Sequence, residues 1–155
     1  MEARNPAELA TLINKGQRLL GIDPGAKKIG LALSDPSLTF AAPFITLERV
    51  KFSFLLAELK NIIEVENIGG IIVGLPLNMN GTEGPSAQSA RALASNLRSE
   101  LSMPTAFWDE RLSTHAVNRT LLEADISRKG REKVVHKMSA AYILQGALDR
   151  INSNT

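Results

Sequence analysis

Cysteine is absent from the 155-residue chain, which excludes a disulfide framework and a thiolate zinc site and is compatible with a reducing compartment. Any metal must therefore be held by oxygen and imidazole. No apolar run approaches the length that spans a bilayer, and the start Met1-Glu-Ala-Arg-Asn5 lacks the basic region and apolar core of a secretory signal. A cytoplasmic protein with no membrane contact is expected. Spacings for a Ser-His-Asp or Cys-His nucleophile, a zinc finger or a Walker-type phosphate loop are missing as well. Charge of one sign is also scarce: the formal net charge is only +2, by itself weak evidence for a polyanionic partner. Its distribution is uneven, because Ser127-Arg-Lys-Gly-Arg-Glu-Lys133 sets four cations against one anion, with Lys137 close behind. Such a segment is either a solvated loop or a phosphate-binding edge.

What is present suits one compact domain with a sizeable core, at 44% hydrophobic residues. Residues 1–16 read as a polar N-terminal lead-in holding one short helix, with Asn5 as cap, Pro6 at the first helical position and Glu8 in a capping-box-like place. Residues 17–151 read as the single domain. Arg18 to Asp23 is a strand, Pro24-Gly25 a turn and Ile29 to Asp35 a second strand; Ala42 to Glu48 is a third, with Pro43 near its start. Phe52, Leu55, Leu56, Leu59, Ile62 and Ile63 form the apolar stripe of a helix to about Glu66. Gly69-Gly-Ile-Ile-Val-Gly-Leu75 is an uninterrupted apolar run, the pattern of a strand buried on both faces. After the loop Leu77 to Gly84, Ala90, Leu93, Ala94, Leu97 and Leu101 mark a second helix, and Pro104 to Glu110 a fifth strand. Ser113 can cap a third helix over Ala116 to Ala124, and a last helix runs from about Arg131 to Ile151. The order β-β-β-α-β-α-β followed by helices is an α/β plan: an antiparallel meander, then parallel strands joined by helical crossovers.

In such sheets ligands collect at the carboxyl ends of the parallel strands. Asp23 ends the first strand and Asp109-Glu110 the fifth, while His136 on the last helix lines up with Ala140, Ile143 and Ala147 on the side expected to lie against the sheet. An Asp before Pro-Gly also serves turn chemistry alone, and a lone His is often structural. Together, however, carboxylates at two strand ends and a polar ligand on a closing helix suit divalent cations, which activate water and stabilise the leaving oxygen of a phosphodiester. Lys27 and Lys28 lie in the same hairpin mouth, and the glycines around Asn78, Asn80, Thr82 and Glu83 allow close approach of a phosphate. Arg111 suits pairing with a carboxylate or touching substrate. Trp108 reads as a core aromatic.

The segments Gly21-Ile-Asp-Pro-Gly25, Val73-Gly-Leu-Pro-Leu-Asn-Met-Asn-Gly-Thr-Glu-Gly-Pro85, Trp108-Asp-Glu-Arg-Leu-Ser113 and Leu122-Glu-Ala-Asp-Ile-Ser-Arg-Lys129 resemble the YqgF (RuvX) family, in order and over nearly the whole chain. That family is similar to RuvC resolvases. The resemblance implies an RNase H-like fold, with a mixed five-stranded sheet and helices on both faces. It implies a metal-dependent endonuclease, either a Holliday-junction resolvase or a nuclease maturing the 5′ end of the small-subunit (16S) ribosomal RNA precursor. Carried over residue by residue, Asp23 matches the first catalytic carboxylate, Glu110 the second, and Asp109 a support position. At the third position the family usually has Asp in a V-D-x-x-A-A context, whereas this chain reads Val135-His-Lys-Met-Ser-Ala-Ala141.

His136 in that place supplies less charge than a carboxylate, which weakens Mg²⁺ and favours Mn²⁺. The expected catalytic and metal set is thus Asp23, Glu110 and His136, with Mg²⁺ or Mn²⁺ as cofactor. Lys27, Lys28, Asn78, Arg111, Arg128, Lys129, Arg131 and Lys133 are the expected contacts to pre-rRNA or branched DNA. The alternative is a catalytically weakened RNase H-like module that binds nucleic acid without cutting it. Either a monomer or a homodimer is compatible with the sequence.

Overall fold

The computed structural model describes residues 2–3, 5–111 and 128–153, and the side chains of the last helix from Val134 onward. Strands β1 (Arg18–Pro24), β2 (Lys28–Ser34) and β3 (Ala41–Glu48) are followed by helix α2 (Phe52–Val65), β4 (Ile68–Leu75), helix α3 (Pro85–Leu101) and β5 (Thr105–Asp109). A short helix α1 (Pro6–Thr11) precedes them, and helix α4 (Arg128–Asn152) comes last. The helix expected after Ser113 lies outside the described residues.

The five strands form one sheet in the order β3-β2-β1-β4-β5. The β1–β2 and β2–β3 pairs are antiparallel, and the β1–β4 and β4–β5 pairs parallel. This is the meander followed by crossovers that the element order requires. Every residue of β4 is buried, as an unbroken apolar run between two neighbours and two covered faces must be.

The two faces differ in side-chain size, and that difference places the site. One face presents Leu20, Ile22, Ile29, Leu31, Ile71 and Val73, packed on Leu55, Leu59 and Ile62 of α2 and on Leu93, Ala94 and Leu97 of α3. Because alternate residues point to opposite faces, the other face carries Leu19, Gly21 and Asp23 on β1 and Gly30 and Ala32 on β2. It packs on Ala140, Ile143, Leu144, Ala147 and Leu148 of α4. Glycine and alanine let α4 come very close: a Cβ built on Gly30 would lie 1.9 Å from the His136 carbonyl oxygen, and one on Gly21 would lie 2.8 Å from Leu144 Cβ. Further along, Gly146 of α4 leaves room for the Trp108 indole, whose Cε2 and Nε1 would be 2.7 Å from an added Cβ.

The stretch read as a polar lead-in contributes to this second face. Asn5 Oδ1 accepts the Glu8 amide at 2.9 Å, which caps α1. Leu9 is fully buried, and the Ala3 amide bonds to Thr105 O at 2.8 Å along the β5 edge. Helices α2 and α3 stop where Asn67 and Ser102 adopt left-handed conformations, φ 54° and 49°. Among the described residues no helix is long and apolar enough to cross a membrane.

Candidate active site

Asp23 stands on the α4 side of β1, at the strand's carboxyl end. The chain then turns sharply, with the Gly25 amide bonding back to Asp23 O at 3.0 Å. Opposite it in the antiparallel register is Gly30, and the missing side chain there lets the His136 backbone settle onto the sheet. Seating α4 in this way brings the imidazole over the turn. His136 Nδ1 lies 3.2 Å from Asp23 Oδ2, and the side chains are 30% and 14% exposed, so the contact is shielded from bulk water but reachable. Gly25 faces the same ring, since a Cβ there would be 3.2 Å from His136 Cε1.

Glu110 comes from the other side. Parallel pairing of β4 with β5 sets Leu75 beside Asp109, and the Glu110 amide continues the ladder to Leu75 O at 3.1 Å. Its side chain turns into the space that Gly74 leaves open: a Cβ on Gly74 would meet Glu110 Cδ at 2.7 Å and Ile143 Cδ1 at 2.6 Å. The carboxyl is therefore buried. Burial first, then the charge of Asp23 and a hydrogen bond to it, push the Glu110 carboxyl up to about 9. That shift favours the protonated form of Glu110 beside Asp23 in the cation-free site.

Asp23, Glu110 and His136 thus meet at one place. Among the described residues no group of three His, Asp or Glu side chains is already arranged to hold a metal ion. The donor set fits a divalent cation all the same. It comprises two hard oxygen ligands and an imidazole, with Glu110 desolvated beside Asp23, where a cation would compete with the proton that burial keeps on Glu110.

Asp109 holds Arg111, accepting from Nε at 2.8 Å and from the Arg111 amide at 3.0 Å. That hydrogen bonding keeps the Asp109 carboxyl below its usual range and raises the Arg111 guanidinium. Asp109 thus bonds Arg111, and Arg111, read as pairing with a carboxylate or touching substrate, has Asp109 as its partner. Arg111 Nη1 also reaches Met79 O at 3.4 Å, which ties the strand end to the loop after β4. That loop is held by its own polar groups: Asn78 Nδ2 donates to Thr82 Oγ1 at 3.0 Å, and Thr82 Oγ1 to Asn80 Oδ1 at 2.6 Å. Glu83 takes a bidentate hydrogen bond from Arg91 at 2.7 and 2.8 Å. Asn78 therefore serves the loop's shape first.

Lys28 pairs with Glu48 at 3.6 Å on the exposed rim, and Lys27 is exposed beside it. Arg128, Lys129, Arg131 and Lys133 fall in the first turns of α4, with side chains outside the described residues. Sequence reasoning passed over one residue of this neighbourhood. Arg49, just after β3, donates from Nη1 to Gly25 O at 3.0 Å and from Nη2 to Ser89 Oγ at 3.3 Å. Nothing in its local sequence marks it; the pairing of Lys28 with Glu48 is what carries it to the Asp23 turn.

Comparison with known proteins bears on this geometry. The model of the RuvX family, described as Holliday junction resolvase, matches residues 17–150. A protein of Paramagnetospirillum magneticum named "Putative pre-16S rRNA nuclease" is 56% identical over 144 residues, 93% of each chain. One of the same name from Methylocella silvestris is 50% identical over 145 residues, 94% of this chain and 90% of its own. Among solved structures, T. thermophilus RuvC in complex with a Holliday junction substrate superposes with a TM-score of 0.56 at 14% identity, covering 88% of this chain and 97% of that one. At that identity the likeness is one of fold, and the fold is the RNase H-like arrangement expected, with α2 and α3 on one face of the sheet and α1 and α4 on the other.

Proposed function

The chain belongs to the RuvX family, and on that footing we propose that it is a metal-dependent endonuclease hydrolysing phosphodiester bonds of structured nucleic acid. A 5′ precursor of 16S rRNA is the first substrate to test and a four-way DNA junction the second. The observation that carries this reading is the meeting of Asp23, Glu110 and His136 where β1 and β5 end under α4. Asp23, Glu110 and His136 are the residues that would hold the cation. A divalent cation bound there supplies the positive charge that activates water and stabilises the leaving oxygen.

The side chains divide the remaining tasks. Asp23, pinned by the tight turn and by His136, offers carboxylate oxygens at a strand end that a nucleic-acid backbone can approach. Glu110 holds a proton when the site is empty and must release it for both carboxylates to act together, so loading is coupled to pH. His136 directs Nδ1 at Asp23; with the proton on Nδ1, Nε2 keeps a lone pair for a cation or for proton transfer. Lys27, Lys28 and the cations at the start of α4 supply non-specific attraction for the phosphate backbone.

The test is cleavage of a labelled 16S rRNA precursor and a labelled four-way junction with Mn²⁺ or Mg²⁺, against an Asp23→Asn control that keeps the fold. Activity lost in the control and restored by neither ion supports the reading. Equal cleavage by both proteins refutes it. The second reading, a module that binds without cutting, is favoured by one observation, the imidazole in the place of the third carboxylate. Binding of either probe with no cleavage by the natural sequence would select it.

A further inference from the structure

We propose that Arg49 is a phosphate-binding residue of the site, gripping the substrate backbone on the hairpin side of Asp23. The inference rests on nucleic acid being the substrate, as argued above.

Arg49 is half-buried at the same end of the sheet as Asp23, and three contacts fix it there. Its amide bonds to Lys27 O at 2.8 Å, its Nη1 to Gly25 O at 3.0 Å and its Nη2 to Ser89 Oγ at 3.3 Å. Gly25 itself lies against the His136 ring, so the guanidinium is one residue removed from the imidazole and anchored to the turn that carries Asp23.

Every acceptor Arg49 uses is neutral. Arg91, Arg98 and Arg111 meet the carboxylates of Glu83, Glu2 and Asp109, whereas Arg150, at the far end of α4, bonds Ser153 Oγ. Arg49 has no carboxylate partner among the described residues, and the first turn of α3 beside it brings no acidic side chain. Two of its five N–H donors are engaged, and the fork geometry of the rest matches phosphate oxygens. A staple between the hairpin and α3 would need only the hydrogen bonds. A full positive charge without a counter-ion among the described residues, anchored to the turn that carries Asp23, suits an anion that arrives with the substrate, and exposed Lys27 stands next to it.

The experiment uses the full chain in the Asp23→Asn background, chosen to remove cleavage and leave binding to be read, with the labelled RNA precursor and four-way junction as probes. Affinity is measured by electrophoretic mobility shift across a salt series, and thermal midpoints check that each protein is folded. Arg49→Gln should lower the magnitude of the slope of log affinity against log salt by about 0.7 to 0.9, one phosphate contact. That loss corresponds to roughly five- to eightfold weaker binding at 0.1 M salt. Arg49→Lys keeps the charge and should keep the slope even though it loses part of the staple. Ser89→Ala, which removes a staple contact and no charge, should leave the slope unchanged. A slope kept in Arg49→Gln, or lost in Arg49→Lys or Ser89→Ala, overturns the assignment. If the Asp23→Asn protein with Arg49 intact binds neither probe, the nucleic-acid reading fails and this one with it; binding with an unaltered slope in Arg49→Gln removes Arg49 alone.

Discussion

Gly30→Ala tests the packing that brings His136 to Asp23. The added methyl would lie 1.9 Å from the His136 carbonyl oxygen, 2.1 Å from its carbonyl carbon and 2.7 Å from the Lys137 nitrogen. These are backbone atoms of a 25-residue helix, so no rotamer change relieves the clash. To restore even a 3.0 Å contact, α4 must withdraw by about 1 Å at this point. Overpacking of a core costs about 1 to 3 kcal/mol. Because the helix also rests on Gly21 and against Gly74, we expect the upper end, about 3 kcal/mol. For a chain of this length that lowers the thermal midpoint by roughly 6 to 12 °C.

The same displacement moves His136 off Asp23, and a misplacement of about 1 Å is worth roughly a hundredfold in rate. Gly70→Ala is the control, since its methyl meets only flexible side-chain atoms of Leu19, Ile13 and Leu9 at 3.0 to 3.2 Å; its cost should stay below about 1 kcal/mol. Far-ultraviolet circular dichroism gives the midpoints and the precursor cleavage assay the rates. A Gly30→Ala midpoint no lower than that of Gly70→Ala would refute the reasoning.

Two further outcomes are expected. In a chelator, the native state keeps on Glu110, at about 9, a proton that the unfolded chain releases above the ordinary 4.5; stability contributed by this group is therefore full below 4.5 and falls as pH rises toward 9. Thermal midpoints measured with EDTA across that window should decline, and Glu110→Gln should flatten the decline; an unchanged decline in the variant would show that another group causes it. For ion choice, cleavage should be faster with Mn²⁺ than with Mg²⁺, because an imidazole replaces a carboxylate, and His136→Asp should narrow the difference. Equal rates with both ions in the natural sequence would remove His136 from the ligand set.

Among the described residues, the strands, the helices and their order were legible because each is written in local periodicity. Leu55, Leu59 and Ile62 recur at helical spacing, and Ile68 to Leu75 form an unbroken apolar run. The strand-end positions of Asp23 and Glu110 follow from where those patterns stop, and the place of His136 follows from helical spacing with Ala140 and Ile143. What local pattern does not carry is contact across the sheet. Gly30 reads as an ordinary strand glycine until the β1–β2 register sets it opposite Asp23. Arg49 reads as an unremarked residue after a strand until the β2–β3 register brings it to Gly25. The upward shift of the Glu110 carboxyl was illegible for a related reason, since a carboxyl's charge state depends on its burial, and burial of Glu110 is decided by the missing side chain at Gly74.

The packing of Trp108 on Gly146 has a practical consequence. It is the only tryptophan in the chain, so indole emission reports one place, where β5 meets α4 beside Met79, Asp109 and Arg111. Gly146 and His136 sit on the same helix about 15 Å apart. The indole is thus far along the helix from His136 but close to the strand-end carboxylates, since Trp108 pairs with Gly74, on which Glu110 packs, and directly precedes Asp109. Any lifting or settling of α4, on cation entry or on loss of the Glu110 proton, would change the polarity around the indole and shift its emission maximum. The molecule thus carries an unlabelled optical gauge of its own closure, readable before any substrate is known.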